Sequence, residues 1–192
     1  EQTALGHGQS IASQGMIHGG MKYALAGALT GASEAIADMP RQWKLCLEGK
    51  GEVDLRGARL LSDDYYLWPR SSLRSRFSAF LGSKTVRGKV DSVAVNDQPA
   101  FFRRHIAGPL YRLQDIVLDV PSLLTTLAAR CAEHIYQIDW QQTRIEADNK
   151  GGIKALHLPD GNTLQAQRFI CTSGEGSEFF LQQLQPQGIA MQ

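Results

Sequence analysis

Apolar residues recur along the chain at two different spacings, and together the two spacings predict a mixture of helices and strands. Apolar positions three and four residues apart predict a helix over residues 33–48, which Gly49 and Gly51 end. Pro40 lies inside this helix, so we expect a kink there or a junction between two helices. Further helices are predicted over residues 71–81, 119–134 and 178–184.

Shorter apolar runs bounded by Gly, Pro, Asn and Asp predict strands and tight turns. The predicted strands cover residues 53–61, 63–68, 89–95, two segments within 108–118, 135–139, 143–147, 152–158, 164–166 and 168–172. Asp160-Gly161 is a dipeptide of the kind that marks hairpins. Residues 101–106 fit a strand or a short connection, because their periodicity favours neither. The chain is therefore predicted to belong to the α/β class.

Composition and charge narrow the class of protein further. Of 192 residues, 43% are hydrophobic and 20% charged, which is typical of a globular protein. A formal net charge of +1 gives no electrostatic case for a nucleic-acid partner, which calls for a basic patch. The chain carries neither the basic start of a signal peptide nor an apolar stretch long enough to span a bilayer, so we expect a cytoplasmic protein.

The cysteines and histidines predict no metal site and no disulfide framework. Three widely spaced cysteines without a CxxC pair are expected to be buried reduced thiols. The histidines lack metal-ligand spacing with each other or with carboxylates.

The most informative stretch covers residues 6–23, where five glycines stand among small hydroxyls, an amide and two histidines. So many glycines disfavour an ordinary helix, because each raises the entropy cost of ordering the backbone. Their use elsewhere is to let main-chain N–H groups approach a flat or phosphate-bearing ligand. A glycine-rich loop alone is a weak signal, and the residues that follow it sharpen the prediction.

The run Ser13-Gln14-Gly15-Met16-Ile17-His18-Gly19-Gly20, followed by Tyr23, resembles the flavin-facing loop of FAD-dependent oxidoreductases related to D-amino acid oxidase. The resemblance is strongest to the glycerol-3-phosphate dehydrogenase and 2-hydroxyglutarate oxidase branches. It extends to residues 117–184, where a helix opened by Asp119 and Pro121, a three-stranded excursion and a glycine-rich turn follow in the family's order. We therefore expect FAD as the cofactor.

In that family a strand–helix–strand unit with a G-x-G-x-x-G turn comes first and holds the pyrophosphate. This sequence contains no G-x-G-x-x-G, and the resemblance aligns Glu1 with the acidic residue that binds the adenosine ribose. We therefore expect the chain to be a fragment of a longer protein, one that retains FAD weakly or not at all by itself. The implied fold is a truncated Rossmann-like FAD-binding layer, residues 1–49 and 119–192, with a mixed-sheet portion of a substrate domain, residues 50–118.

The resemblance also implies a set of site residues. The expected cofactor contacts are Glu1, Ser10, Ser13, Gln14, Gly15, His18, Gly19, Gly20, Gly174 and Gly176. His18 is the one histidine of the run 13–20, and histidine is the residue type best suited to exchange a proton near neutral pH, so it is also the candidate catalytic residue, with structural support as the alternative. No metal ligand is expected.

The resemblance implies an enzyme that oxidises a C–H bond next to a hydroxyl or amine of a small molecule by hydride transfer to flavin. A 2-hydroxy acid or polyol phosphate is favoured over an amino acid. A catalytically silent fragment or interaction module without flavin is the first alternative. A flavin-containing RNA-modifying enzyme is the second, and the near-neutral charge speaks against it.

Overall fold

The structure is a computed structural model that describes residues 3–20, 36–69, 90–148 and 152–184. The chain divides into two compact units, residues 1–12 with 131–192 and residues 13–130. All strand pairs among the described residues are antiparallel. The prediction of mixed helices and strands is therefore confirmed, whereas the Rossmann-like layer and the functional domains stay predictions.

The unit of residues 13–130 contains two three-stranded sheets. One has the order β1-β6-β2, formed by β1 (Met16–Ile17), β6 (Ile116–Leu118) and β2 (Leu60–Ser62). The other has the order β3-β5-β4, formed by β3 (Tyr65–Leu67), β5 (Leu110–Leu113) and β4 (Val90–Val93). The core of this unit is formed by Leu55, Leu110, Leu113, Ile116, Leu118 and Val120. Both central strands therefore supply buried side chains.

Three of the helices lie in this same unit: α2 (Met39–Leu47), α3 (Ala100–His105) and α4 (Val120–Ala129). Asp119 caps α4 by accepting a hydrogen bond from the Ser122 N–H, at 3.1 Å. Its carboxylate also accepts from Arg59 at 2.8 Å, and this bond, joined by those from Ser122, lowers the pKa of Asp119. The start predicted for this helix is thus confirmed, with a named physical cause.

The other unit contains α1 (Gln9–Ala12), a hairpin sheet and α5 (Ser177–Leu184). The sheet has the order β7-β8-β9, formed by β7 (Arg144–Ala147), β8 (Ile153–His157) and β9 (Thr163–Gln165). Ile145, Leu156 and Leu184 form its core, where the last residue of α5 packs on the sheet. The predicted hairpin and the Asp160-Gly161 turn are confirmed, and Gly161 has a φ of +86°.

Three predicted strands are wrong wholly or in large part. Residues 53–59 are not a strand, because Asp54 bonds locally to the backbone and side chain of Arg56 and leaves only Leu60–Ser62 paired. Residues 135–139 are irregular, and Asp139 accepts the backbone N–H of Gln141 in a turn. Residues 168–172 are also irregular, and Ile170 is 84% exposed instead of buried.

Other predictions need smaller corrections. The described part of the helix predicted over 33–48 begins at Met39, so Pro40 lies in its first turn, where its missing N–H costs nothing. The helix predicted over 119–134 ends at Ala129, and a separate 3₁₀ turn covers Ala132–His134. The two strands within 108–118 belong to different sheets.

Residues 101–105, which the pattern left open, are helical, and the ring of Phe102 lies 5.0 Å from Tyr66 and 5.5 Å from Trp68. The cysteines expected to be buried are half-buried (Cys46, Cys171) or exposed (Cys131). Residues 33–35, the helix predicted over 71–81 and the turn residues 149–151 lie outside the described residues.

Candidate functional site

The predicted flavin-facing loop begins after α1 and runs through β1 to Gly20. Ser13 and Gln14 are exposed, Gly15 to Gly19 are half-buried, and Gly20 is buried. Gly15 and Gly20 have φ values of +65° and +81°, in the left-handed region that glycine adopts without strain. The stretch is therefore not a continuous helix, as the glycine content predicted.

Gly15 packs against the protein's own backbone. Its carbonyl oxygen accepts a hydrogen bond from the Leu118 N–H at 2.8 Å. A Cβ added at Gly15 would lie 2.1 Å from the Leu118 carbonyl oxygen and 3.1 Å from Val120 Cγ2. The need for glycine here thus has an internal cause, the seating of β1 on β6, and the predicted cofactor contact at this residue stays a prediction.

His18 is held by Asp115, a residue that the sequence did not single out. The register of β1 and β6 pairs Met16 with Val117 and Ile17 with Ile116, so the next cross-strand position pairs His18 with Asp115. The two side chains meet there, with His18 Nδ1 2.9 Å from Asp115 Oδ2. The sheet register therefore fixes an imidazole–carboxylate pair at the end of β1.

Asp115 is 3% exposed and is the one charged side chain that is buried among the described residues. A buried carboxylate is costly unless hydrogen bonds replace its lost water. Its second oxygen, Oδ1, accepts the N–H of Gly19 at 2.9 Å, so both oxygens are satisfied by the loop. The side chain of His18 remains 32% exposed. The pair thus consists of a buried carboxylate and an imidazole that is partly exposed to solvent.

One feature of the sequence could have identified Asp115 as a buried acidic residue. It is a carboxylate between two apolar strand segments, close to Leu113 and directly before Ile116, where a strand pattern expects burial. An acidic residue at such a position needs a partner from elsewhere in the fold. The partner's identity depends on the register between β1 and β6, which no local pattern contains.

The glycines predicted near the end of the chain lie in the unit of residues 1–12 and 131–192, as does Ser10, which is exposed on α1. Gly174–Gly176 form a 3₁₀ turn directly before α5, but an irregular segment precedes it instead of the expected strand. Gly174 has a φ of +58°, and a Cβ added there would meet no atom of the described residues within 4 Å beyond its chain neighbours. The cofactor contacts expected at Gly174 and Gly176 stay predictions.

A short chain of hydroxyl and thiol groups lies beside these glycines. Ser173 Oγ is 3.1 Å from Cys171 Sγ and 3.2 Å from Ser177 Oγ. The hydrogen bond with Ser173 lowers the pKa of the Cys171 thiol, against the opposing effect of burial. Glu1, the remaining predicted contact, lies outside the described residues.

The described residues contain neither a cluster able to hold a metal ion nor a helix able to cross a membrane. Within the described ranges, no three or more His, Cys, Asp or Glu side chains are placed to hold a metal ion. In the same part of the chain, no helix combines the length and apolar character needed to cross a membrane.

Comparison with known proteins places these features in a family context. The chain is 46% identical, over all of its length, to a protein of Pseudomonas aeruginosa described as the probable FAD-dependent oxidoreductase PA4991, and it spans 48% of that protein. The crystal structure of that FAD-dependent oxidoreductase matches 96% of this chain and 42% of its own, with a TM-score of 0.70 and 37% identity in the structural alignment. No family model matches the chain.

A more distant similarity concerns the fold alone. The crystal structure of glycine oxidase from Geobacillus kaustophilus matches 87% of this chain and 45% of its own, with a TM-score of 0.57 and 16% identity. The chain is therefore homologous to a probable FAD-dependent oxidoreductase, the kind of protein that residues 13–20 and 117–184 predicted. The likeness to glycine oxidase shows a shared fold, and the glycerol-3-phosphate dehydrogenase and 2-hydroxyglutarate oxidase branch stays a prediction.

Proposed function

We propose that this chain forms part of an FAD-dependent oxidoreductase that oxidises a C–H bond next to a hydroxyl or amine of a small molecule. The observation that carries the proposal is the 46% identity, over the whole chain, to a probable FAD-dependent oxidoreductase. The chain spans about half of that relative, so the activity is proposed for the complete protein. The Rossmann-like character of the cofactor layer belongs to the same proposal.

The donors of the loop fit the flavin ring. Ser13 and Gln14 present an exposed hydroxyl and an exposed amide, and His18 adds a partly exposed imidazole. A flat heteroaromatic ring with carbonyl oxygens and ring nitrogens is matched by such neutral donors and acceptors.

Bound FAD would supply the hydride acceptor for the oxidation. The loop residues would then hold the ring, Ser13 and Gln14 through their exposed side chains, while the Gly19 N–H stays bonded to Asp115. His18 would face the substrate, where its imidazole can accept the proton that a hydroxyl or amine releases as the neighbouring C–H bond breaks. This assigns His18 a proton-transfer role, with Asp115 fixing its place in the sheet.

A cleft next to the loop is lined by charged side chains of both signs. Pro40 lines this cleft of about 490 Å³, and its Cγ lies 3.5 Å from where a Cβ of Gly19 would be. Arg112 also lines it, 3.6 Å from Asp91 and 3.8 Å from Asp64, both longer than a hydrogen bond. These two carboxylates balance the charge of Arg112, and Asp63 also lines the cleft, so the lining itself gives no preference for an anionic substrate and the choice of a 2-hydroxy acid or polyol phosphate rests on the family resemblance.

The test uses the complete protein, purified and examined by visible absorbance for bound flavin. Three probes, 2-hydroxyglutarate, glycerol 3-phosphate and glycine, are each added without oxygen, and loss of the flavin absorbance reports oxidation. We expect bound flavin, reduction by at least one probe, and reduction by an anionic hydroxy compound in preference to glycine. A protein without flavin would instead support a catalytically silent module.

The second arm of the test replaces His18. We expect His18→Ala to slow flavin reduction about 100-fold or more, the contribution typical of a positioned general base, with little change in flavin content. The matched control is His134→Ala, because His134 is an exposed histidine whose side chain pairs, within the described part of the chain, with its neighbour Glu133 at 3.5 Å. Unchanged reduction by His18→Ala, with a large drop in melting temperature, would assign His18 a purely structural role.

A further inference from the structure

We propose that Asp115 is a positioning residue that holds His18 in the tautomer protonated at Nδ1, so that Nε2 is the ring nitrogen able to accept a proton. The proposal rests on the function proposed above, in which His18 accepts a proton, and it adds the residue that determines which nitrogen of His18 does so. The observations behind it are the burial of Asp115 and the two contacts of 2.9 Å that its oxygens make.

The hydrogen-bond inventory determines the direction of the contact. A backbone N–H only donates, so Oδ1 of Asp115 accepts from Gly19. Two donors around one carboxyl group favour its carboxylate form, so the proposal has Nδ1 of His18 donate to Oδ2. A neutral imidazole with a proton on Nδ1 carries its lone pair on Nε2. Among the described residues, Nε2 makes no hydrogen bond, which leaves that lone pair available for a ligand.

The proton balance of the proposed reaction requires such an acceptor. When a substrate H–C–O–H becomes C=O, the C–H bond breaks with its electron pair, and bound oxidised flavin would supply the acceptor for that hydride. The O–H proton must leave as well, and His18 Nε2 takes it, which makes the ring an imidazolium with protons on both nitrogens. The buried Asp115 carboxylate, 2.9 Å from Nδ1, stabilises that cation. An amine substrate loses its N–H proton by the same route.

Asp115→Asn is the informative substitution because it keeps shape and removes acceptor capacity. An Asn side chain has one acceptor oxygen and one NH₂ group that only donates. With its oxygen kept on the Gly19 N–H, the NH₂ group faces His18 Nδ1, which must then become the acceptor. His18 consequently switches to the tautomer protonated at Nε2, and the nitrogen facing the substrate can no longer take a proton.

The first measurement is the tautomer itself, read from the ¹⁵N chemical shifts of His18 in the complete flavin-loaded protein labelled at histidine. We expect protonated Nδ1 in the wild type and protonated Nε2 in Asp115→Asn. Wild-type protein with protonated Nε2 would overturn the proposal even if the variant failed to fold. This readout does not depend on turnover, and a merely structural Asp115 would not determine it.

The second measurement is anaerobic flavin reduction by whichever of the three probes is active. We expect Asp115→Asn to slow the step about 100-fold or more, as loss of a general base does, with flavin content retained. Asp119→Asn is the matched control, because Asp119 also accepts from a backbone N–H and a cationic side chain, and Asn still caps a helix. The control is expected to reduce its flavin at the wild-type rate.

The double variant His18→Ala with Asp115→Asn separates this inference from the function on which it rests. The effects of substituting two residues that act through one another do not add, so we expect the double variant to reduce its flavin no more slowly than His18→Ala alone. A further loss in the double variant, or an Asp115→Asn protein at the wild-type rate, would contradict the role of Asp115 alone. A His18→Ala protein at the wild-type rate would contradict the proton-transfer role of His18, whereas a complete protein without flavin, or one that no probe reduces, would contradict the proposed function instead.

Discussion

Gly15→Ala tests the seating of the loop on the sheet, on which the position of His18 depends. The substitution adds one methyl group where the added Cβ would be 2.1 Å from the Leu118 carbonyl oxygen. Ordinary contact begins at 3.4 Å, so the backbone of β1 or β6 must move apart. Both partners of the clash are main chain or directly attached to it, so a side-chain rotation cannot relieve it.

The magnitude follows from two separate costs. An alanine held at a φ of +65° carries left-handed strain of about 1 kcal/mol. Forcing an extra methyl group into packed structure costs about 2 kcal/mol more, and it lengthens the 2.8 Å bond from the Leu118 N–H to the Gly15 oxygen. We therefore expect Gly15→Ala to lower the free energy of unfolding by about 3 kcal/mol.

Gly8→Ala is the matched control, because Gly8 also has a left-handed φ, +81°, but no atom lies within 4 Å of its added Cβ. It should show the strain alone, about 1 kcal/mol. Urea titration measures both losses, and hydrogen exchange of the Leu118 amide reports the local effect, which we expect only for Gly15→Ala. Equal losses in the two variants, or a Leu118 amide as protected as in the wild type, would refute this account of the loop.

Two further predictions concern stability. Lys154 and His157 donate to Glu146 and hold its pKa at about 2 instead of 4.5, so this contribution is present above pH 4.5 and is lost as the pH falls towards 2. Glu146→Gln should flatten the wild-type loss of stability in that window, as measured by urea midpoints, and an unaltered pH dependence would contradict it. Ile116 is fully buried, so Ile116→Ala should lower the free energy of unfolding by about 2–5 kcal/mol. Ile170 is 84% exposed, so Ile170→Ala should lower it by less than about 0.5 kcal/mol. Similar melting temperatures of the two variants would contradict this difference.

The sequence predicted best where local chemistry decides the structure. Asp119 and Pro121 begin α4 because a carboxylate can cap free N–H groups and proline fits the first turn. Asp160-Gly161 turns the chain because glycine adopts the left-handed conformation that the hairpin needs. The glycine-rich run at residues 13–20 likewise predicted an FAD-dependent oxidoreductase, the kind of protein to which the chain is 46% identical, because its spacing is part of the sequence itself.

Prediction from the sequence failed where an apolar run was compatible with more than one kind of secondary structure. Residues 53–61 and 168–172 look like strands, but a strand needs a partner at the right distance, and among the described residues only Leu60–Ser62 finds one. Residues 101–105 are a helix whose Phe102 packs on Tyr66 and Trp68 of another element. Periodicity describes the face that an element can bury, and it does not identify what that face will meet.

The two residues of the candidate site also differ in whether the sequence could predict them. His18 was evident from the sequence because it is the titratable side chain of a glycine-rich loop whose residues carry the family resemblance. Asp115 lies 97 positions further along the chain, and only the antiparallel register of β1 and β6 brings its carboxylate to the imidazole. A shift of that register by one residue would turn Asp115 to the opposite face of the sheet. The sequence thus determined which group could carry a proton, and the tertiary structure alone decided which group holds it, because pairing between distant strands is set by the packing of the whole sheet.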